Sequence, residues 1–324
     1  MGSFAGAGRY WLIWVAVVPL AAWAVVRSLG LEPGEWVAPL LAFTPYALIA
    51  AFLVFGFAAA LRNWAAATVA VLATLCLALA VLPRAVGDGT VDAAGRETLS
   101  VVSANIHRGT ADPAAVVALV AREDPDLLLV QELTPGYVRE LGAAGLGRLL
   151  PDRVLAVYHG RPKKPGLGIY SRLPLRELGP HDNNALGAAL RLPGGRRVRL
   201  INVHPHTPKP GHVGEWSRSL AMLPSAGTGA PWILAGDFNA TLDQVELRDV
   251  VDRGYRDAGD VAGKGLEPTF PRQGWHDLGP FITIDHVLAD ERLGIVDYGV
   301  AELPGSDHRA IHAELALPAA GERP

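Results

Sequence analysis

Three apolar stretches fill the first quarter of the chain, Tyr10–Val26, Trp36–Leu61 and Trp64–Leu82. Each approaches or exceeds the ~20 residues that, at about 1.5 Å per residue, cross a hydrocarbon core roughly 30 Å thick. None has a polar face, which argues against helices of a globular core. Tyr10, Trp11, Trp36 and Trp64 stand at segment ends, where aromatic rings favour the membrane interface. Residues 1–82 are therefore expected to form three transmembrane helices. Ala22-Trp23-Ala24 also passes as a signal-peptidase site, whose use would remove the first span and leave two.

The chain is 50% hydrophobic and 19% charged, and the imbalance lies in this first part. Residues 1–96 carry five basic and four acidic side chains of the totals 29 and 32, leaving 24 basic and 28 acidic for the rest, a net of −4. Disorder is excluded by the apolar content. A disulfide framework is excluded because Cys76 is the only cysteine. Arg9 and Arg62 fall on one side of three spans and Arg27 and Arg84 on the other, so the positive-inside count is a tie. With an odd number of spans and the N-terminus inside, the rest of the chain emerges outside. Cleavage of the first span gives the same outcome. An extracytoplasmic address is expected. Residues 83–97, rich in Gly, Asp and Ala, read as a linker reaching at most about 50 Å. Anchor and soluble domain thus read as separable.

From Thr98 the periodicity changes. Compact apolar runs read as strands at Leu99–Ala104, Leu127–Val130, Val154–Tyr158, Gly168–Ser171, Ala188–Leu192, Val198–Val203, Trp232–Ala235, Thr283–Leu288, Ile295–Val300 and Ala310–Leu315. Asp112-Pro113 is an N-cap with proline at the first helical position, opening a helix to about Arg122. Further helices are expected over Pro135–Leu141, Gly214–Leu223 and Asp243–Val250. The pattern is that of a mixed α/β domain with more than one sheet, over residues 98–317, with a short tail at 318–324.

Polar residues recur where these strands run out. Asn105 ends the first, Glu132 follows the second, His204 closes Ile201-Asn202-Val203, and Asp237 and Asn239 end another. Asp285 and Asp307-His308 complete the set. Carboxylates and amides gathered this way suit a hard, oxygen-seeking cation such as Mg²⁺. Zinc chemistry lacks its cysteines and its His-Glu-x-x-His helix. In-line attack on phosphorus needs an activated water, a cation, and donors aimed at the equatorial oxygens. Alternation places His286 on the face opposite Asp285, a structural position, while His206 shares the side of His204. No role follows for His107, Arg108, His181 or His212. Arg161-Pro162-Lys163-Lys164 reads as a solvated loop, or else as a contact for lipid headgroups or substrate phosphate. Arg196, Arg197 and Arg199 read as a hairpin surface.

Ser103-Ala104-Asn105-Ile106, Gln131-Glu132, Gly236-Asp237-Phe238-Asn239, Ile284-Asp285-His286-Val287 and Ser306-Asp307-His308-Arg309, in this order, resemble the endonuclease/exonuclease/phosphatase superfamily. It includes DNase I-like nucleases, neutral sphingomyelinases and inositol-phosphate 5-phosphatases. The resemblance spans Leu99 to about Leu315 and implies a four-layered α/β/β/α sandwich. It implies that Glu132 holds the metal, Mg²⁺ or Mn²⁺, with Asn105 supporting it and Asp307 nearby. Asp237 and Asn239 match the pair that contacts the scissile phosphate and positions the attacking water. His308 matches the general base, Asp285 the carboxylate that orients it, and His204 a histidine assisting a leaving or non-bridging oxygen.

Three spans ahead of such a domain resemble, in architecture, the actinobacterial VanJ-type membrane proteins linked to teicoplanin resistance, phosphatases of undecaprenyl pyrophosphate. That resemblance implies a lipid pyrophosphate substrate and the bilayer as partner. A nuclease explains the motifs equally well but gives the spans no chemical purpose. The acidic balance of residues 97–324 gives no sign of the broad basic surface of non-specific nucleic-acid binding, so no stable nucleic-acid partner is expected. A phospholipase C-like phosphodiesterase would also fit the motifs and the spans. So would a non-catalytic membrane scaffold on the same fold, although such a scaffold has no chemical reason to keep the full set of acids, amides and histidines.

Overall fold

The computed structural model describes residues 4–32, 34–158, 164–179, 184–272 and 281–318. Arg161, Lys163, His181 and the tail beyond Pro318 lie outside these residues.

The first apolar stretch is helix α1 (Phe4–Leu29) and the third is α4 (Trp64–Val81). The second is not one helix. It divides into α2 (Gly34–Leu41) and α3 (Thr44–Ala60), bent by 81° against each other. Pro45 opens α3, and a proline disfavours helical backbone at the residue before it. The Thr44 hydroxyl donates to the Leu41 carbonyl at 2.6 Å and accepts from Trp23 Nε1 at 3.0 Å, which fixes the elbow. Among the described residues, α1 and α4 are long and apolar enough to cross a membrane, and the bent pair makes a third candidate if it is one span. The faces of α3 and α4 carry small buried residues, Ala47, Ala51 and Ala58 of α3 and Ala66, Ala67, Ala70 and Ala73 of α4, which let backbones approach closely.

The stretch expected as a linker is docked. Helix α5 (Pro83–Val86) follows α4 directly, the Arg84 carbonyl accepts from Gly265 N–H, and Val91 N–H donates to the Ile295 carbonyl. Arg84 is buried, its guanidinium forked onto Asp243 at 2.7 and 2.9 Å.

The globular part holds two six-stranded sheets. Its elements are β1 (Thr98–Asn105), α6 (Pro113–Glu123), β2 (Leu127–Leu133), α7 (Pro135–Ala144), α8 (Leu146–Leu149), β3 (Asp152–Ala156), β4 (Gly166–Ser171), β5 (Leu175–Glu177), β6 (Ala185–Arg191) and β7 (Arg197–Val203). After them come α9 (Val213–Ala221), β8 (Trp232–Asp237), α10 (Val245–Val251), β9 (Tyr255–Asp257), α11 (Ala258–Val261), β10 (Asp285–Asp290), β11 (Gly294–Ala301) and β12 (Ala310–Ala316). One sheet runs β11-β12-β1-β2-β4-β3 and the other β5-β6-β7-β8-β10-β9. Alternation decides the layers. Val101, Leu127, Leu129 and Ile169 of the first sheet meet Ala188, Leu200, Ala235 and Val287 of the second in a central core. Their strand neighbours point the other way: Val102, Leu128 and Val130 face α6 and α7, and Leu234, Val203 and Leu288 face α9 and α10. The result is a sandwich of helix, sheet, sheet and helix. Ala38 of α2 joins the outer core beside Trp216 and Leu247, so the apolar N-terminal helices pack on the globular part as well as on each other.

Candidate active site

Parallel pairing of β1 with β2 and of β7 with β8 brings four strand ends to one edge of the sandwich. Antiparallel β12 and β10 start there. At that edge Asp237 and Asp285 pair directly across β8 and β10. Like charges in that position repel. A group must compensate them, and His308 does: its Nδ1 lies 2.9 Å from Asp285 Oδ2 and its Nε2 3.6 Å from Asp237 Oδ2. Burial on its own would lower the His308 pKa, but the charges of Asp285 and Asp237 and the hydrogen bond to Asp285 outweigh it and hold the imidazole at about 10. Burial raises the Asp237 carboxyl above its ordinary value, against the pull of His308.

Each side chain is set by a local device. A bulge between Gln131 and Leu133 in the β2–β4 ladder places Glu132 at φ 58°, turning its carboxylate out of strand alternation and towards the site. A Cβ at Gly236 would lie 2.1 Å from the Val203 carbonyl oxygen, and the close approach that glycine permits seats Asp237 against the end of β7, where His204 follows. Asn239, at φ 50°, donates its N–H to Asp237 Oδ1 at 2.8 Å and its Nδ2 to the Pro205 carbonyl. The left-handed backbone of Glu132, His107, Arg108 and Asn239 is strain gathered at one site.

His204 Nε2 stands 3.6 Å from Glu132 Oε1 and 3.7 Å from Asp237 Oδ2, between the two carboxylates. Asn105 Nδ2 donates to Asp237 Oδ2 at 3.0 Å, and its Oδ1 accepts from His107 N–H. Asp307 faces His107 Nδ1 at 3.5 Å. His206 is brought elsewhere, with His212, beside Glu215. His286 is structural: its ring is held between Asp257 at 2.8 Å and the Ala240 carbonyl at 2.9 Å, inside the protein. His286→Ala is expected to cost about 3–5 kcal/mol by leaving Asp257 buried without its partner, measured as a shift in the denaturation midpoint. Arg199 departs from the expected free hairpin surface, with its guanidinium 4.2 Å above the Trp232 ring. Lys164 lies 3.7 Å over the Tyr158 ring.

Three residues with no role expected from the sequence complete the site. The Ser306 hydroxyl donates to the Asn105 carbonyl at 2.6 Å and accepts from His308 N–H at 3.0 Å, tying β1 to His308. Phe270 stacks on His308 with centroids 4.7 Å apart. Arg108 Nε is 3.8 Å from Glu132 Oε2. Ser306 belongs to the Ser-Asp-His-Arg block and could have been found there, whereas Phe270 carries no signal in the sequence.

The carboxylates of Glu132, Asp237 and Asp285 thus alternate with the imidazoles of His204 and His308 along one row. Glu132 Oε2 is buried with no hydrogen-bond partner. Asp237, Asp285 and His308 offer ligand atoms within 4.8 Å of one another. An unsatisfied buried carboxylate oxygen and this excess negative charge fit a divalent cation.

Residues 102–308 match the model of the Endonuclease/Exonuclease/phosphatase family, and the chain belongs to that family of phosphoester hydrolases. No curated protein matches the chain. Among solved structures, a humanized TDP2 of D. rerio is 20% identical at a TM-score of 0.52, covering 67% of this chain and 98% of that one. D. rerio TDP2 complexed with a single-strand DNA product is 17% identical at 0.53, covering 68% and 99%. An endonuclease/exonuclease/phosphatase from Beutenbergia cavernae is 20% identical at 0.52, covering 69% and 73%. At these identities the likeness is one of fold.

Proposed function

We propose that the protein is a membrane-anchored, divalent-metal-dependent phosphohydrolase that removes phosphate from a lipid pyrophosphate such as undecaprenyl pyrophosphate at the outer face of the membrane. The observation that carries this reading is the docking of the apolar helices on the loops around the site: Tyr46 of α3 donates its hydroxyl to the Phe281 carbonyl at 2.9 Å, and the Gly211 N–H donates to Glu35 of α2 at 2.9 Å. A catalytic edge held beside helices that enter the bilayer suits a substrate whose phosphates project from it. The architecture also resembles that of the VanJ-type lipid pyrophosphatases.

In this reading Asp285 holds the Nδ1 side of His308, leaving Nε2 to take a proton from the attacking water. Asp237 and Asn239 position that water and the phosphate, and His204 donates to a phosphate oxygen. Glu132 with Asp307 and Asn105 would hold Mg²⁺ or Mn²⁺. That ion would neutralise charge developing on the phosphate oxygens.

One observation favours a second reading, DNA phosphodiester hydrolysis: the structure of D. rerio TDP2 with a single-strand DNA product shares this fold. Full-length protein in vesicles is expected to release phosphate from undecaprenyl pyrophosphate with a higher kcat/KM than it nicks plasmid DNA or cleaves sphingomyelin. Faster DNA nicking would overturn the lipid assignment. Reporter fusions after Leu82 and Pro324 are expected to report the extracytoplasmic side, and a cytoplasmic signal from the second would contradict that orientation.

A further inference from the structure

Three loops surround the catalytic residues, and a residue of the N-terminal segment grips each. The loop after β8 follows Asp237, carries Asn239 and ends at Asp243. That carboxylate is buried, receives both guanidinium nitrogens of Arg84, and accepts from Arg27 Nε at 3.2 Å. Arg27 Nη2 also reaches the Leu242 carbonyl. Next to Asp243, Gln244 donates to the Ala38 carbonyl of α2 at 2.9 Å and accepts from Thr241 N–H at 2.7 Å, so the loop is pinned on both sides. The loop that begins at His204 is held through Gly211 by Glu35. The third grip is at Phe281, whose N–H bonds the carbonyl of Phe270, the residue stacked on His308, while its own carbonyl takes the Tyr46 hydroxyl.

A tether needs none of this. Flexible attachment would raise the local concentration of substrate and leave the chemistry alone. A buried carboxylate forked by arginine is instead a rigid joint, since bidentate geometry fixes direction as well as distance. Displacing an active-site loop by about 1 Å can cost on the order of 100-fold in rate. We propose that the N-terminal membrane segment is a positioning element of the active site, and that Arg84 acts on catalysis by holding Asp243 and, through it, the loop that follows Asp237 and bears Asn239. Arg84 and Asp243 are positioning residues, acting through the loop. The inference rests on the reading of this edge as a phosphohydrolase site.

The test uses the full chain in detergent micelles and a soluble chromogenic phosphate ester, so that access to lipid plays no part. Arg84→Lys keeps the charge and loses the fork. Tyr46→Phe removes only the hydroxyl that reaches Phe281. Arg84→Lys is expected to lower kcat at least ten-fold with KM within two-fold, and Tyr46→Phe to lower kcat less, both well below the melting temperature of each variant. Hydrogen exchange gives a readout independent of substrate: in Arg84→Lys, amides of residues 238–242 are expected to exchange at least ten-fold faster while those of β1 and β2 keep wild-type protection. Wild-type kcat with a lowered melting temperature would reduce the joint to a structural one and overturn the proposal, as would unchanged exchange at 238–242. Wild-type protein that hydrolyses no phosphoester would refute the functional reading instead, and the exchange result would still decide the joint.

Discussion

His308→Ala is expected to lower the turnover number for phosphate release about 10²–10⁴-fold, the range that a positioned general base contributes. The geometry says why the loss should be large. Asp285 occupies Nδ1 at 2.9 Å, so the ring is held with Nε2 towards Asp237, and its orientation is set by Asp285 while both carboxylates favour its charged form. Asp285→Asn should cost a comparable or smaller factor. The double variant should lose little more than His308→Ala alone, because residues acting as one unit are not additive. Additive losses in the double variant would mean that Asp285 works apart from His308.

The pH dependence follows from the same contacts. With its pKa held at about 10 by Asp285 and Asp237 when no metal is bound, His308 carries a proton at neutral pH and cannot act as a base. A divalent cation placed among these carboxylates favours the neutral imidazole. The rate should therefore rise with pH as His308 loses its proton, and raising the metal concentration should move that limb to lower pH. A limb that stays fixed across metal concentrations would separate His308 from the metal site.

Much of the fold was legible because burial on both faces leaves a compact apolar signature. The runs at Leu127–Val130 and Val198–Val203 lie in strands for that reason. Strands β5 and β9 were not legible, since three residues carry no period. The elbow between α2 and α3 was written in Pro45, but uniform hydropathy over Trp36–Leu61 hid it. Asn105, Glu132, Asp237 and His308, which meet at one edge of the sandwich, were legible because each belongs to a recognisable block at or beside the end of a strand. The bulge that turns Glu132 could not, as it arises from register with β4. Nor could the joint between Arg84 and Asp243: either residue alone reads as a surface charge, and only the packed structure shows both buried. On that joint rests the proposal that the N-terminal segment positions the site as well as anchoring it.

The proposed role of Glu132 in holding a cation carries the second large effect. Glu132 Oε2 is buried without a hydrogen-bond partner, its neighbour Arg108 standing 3.8 Å away. A carboxylate kept unsatisfied at that depth is costly unless it binds something. Changes to the residues that merely support metal ligands cost about 10–100-fold in affinity, so loss of Glu132, the proposed ligand, should exceed the upper figure. His308→Ala should not weaken metal binding and, because the cation opposes the protonated imidazole, should strengthen it at neutral pH, which separates the two roles.

The most direct test is phosphate release by the full-length protein, wild type and Glu132→Ala, measured in Mg²⁺, after chelation, and after Mg²⁺ is restored, with Mn²⁺ binding followed in parallel. Wild-type turnover is expected to vanish in chelator and return with the metal, while Glu132→Ala stays folded, binds Mn²⁺ more than about 100-fold more weakly and remains inactive at metal levels that saturate the wild type. Full wild-type activity in excess chelator, or wild-type Mn²⁺ affinity in Glu132→Ala, would contradict a metal-dependent hydrolase centred on this carboxylate.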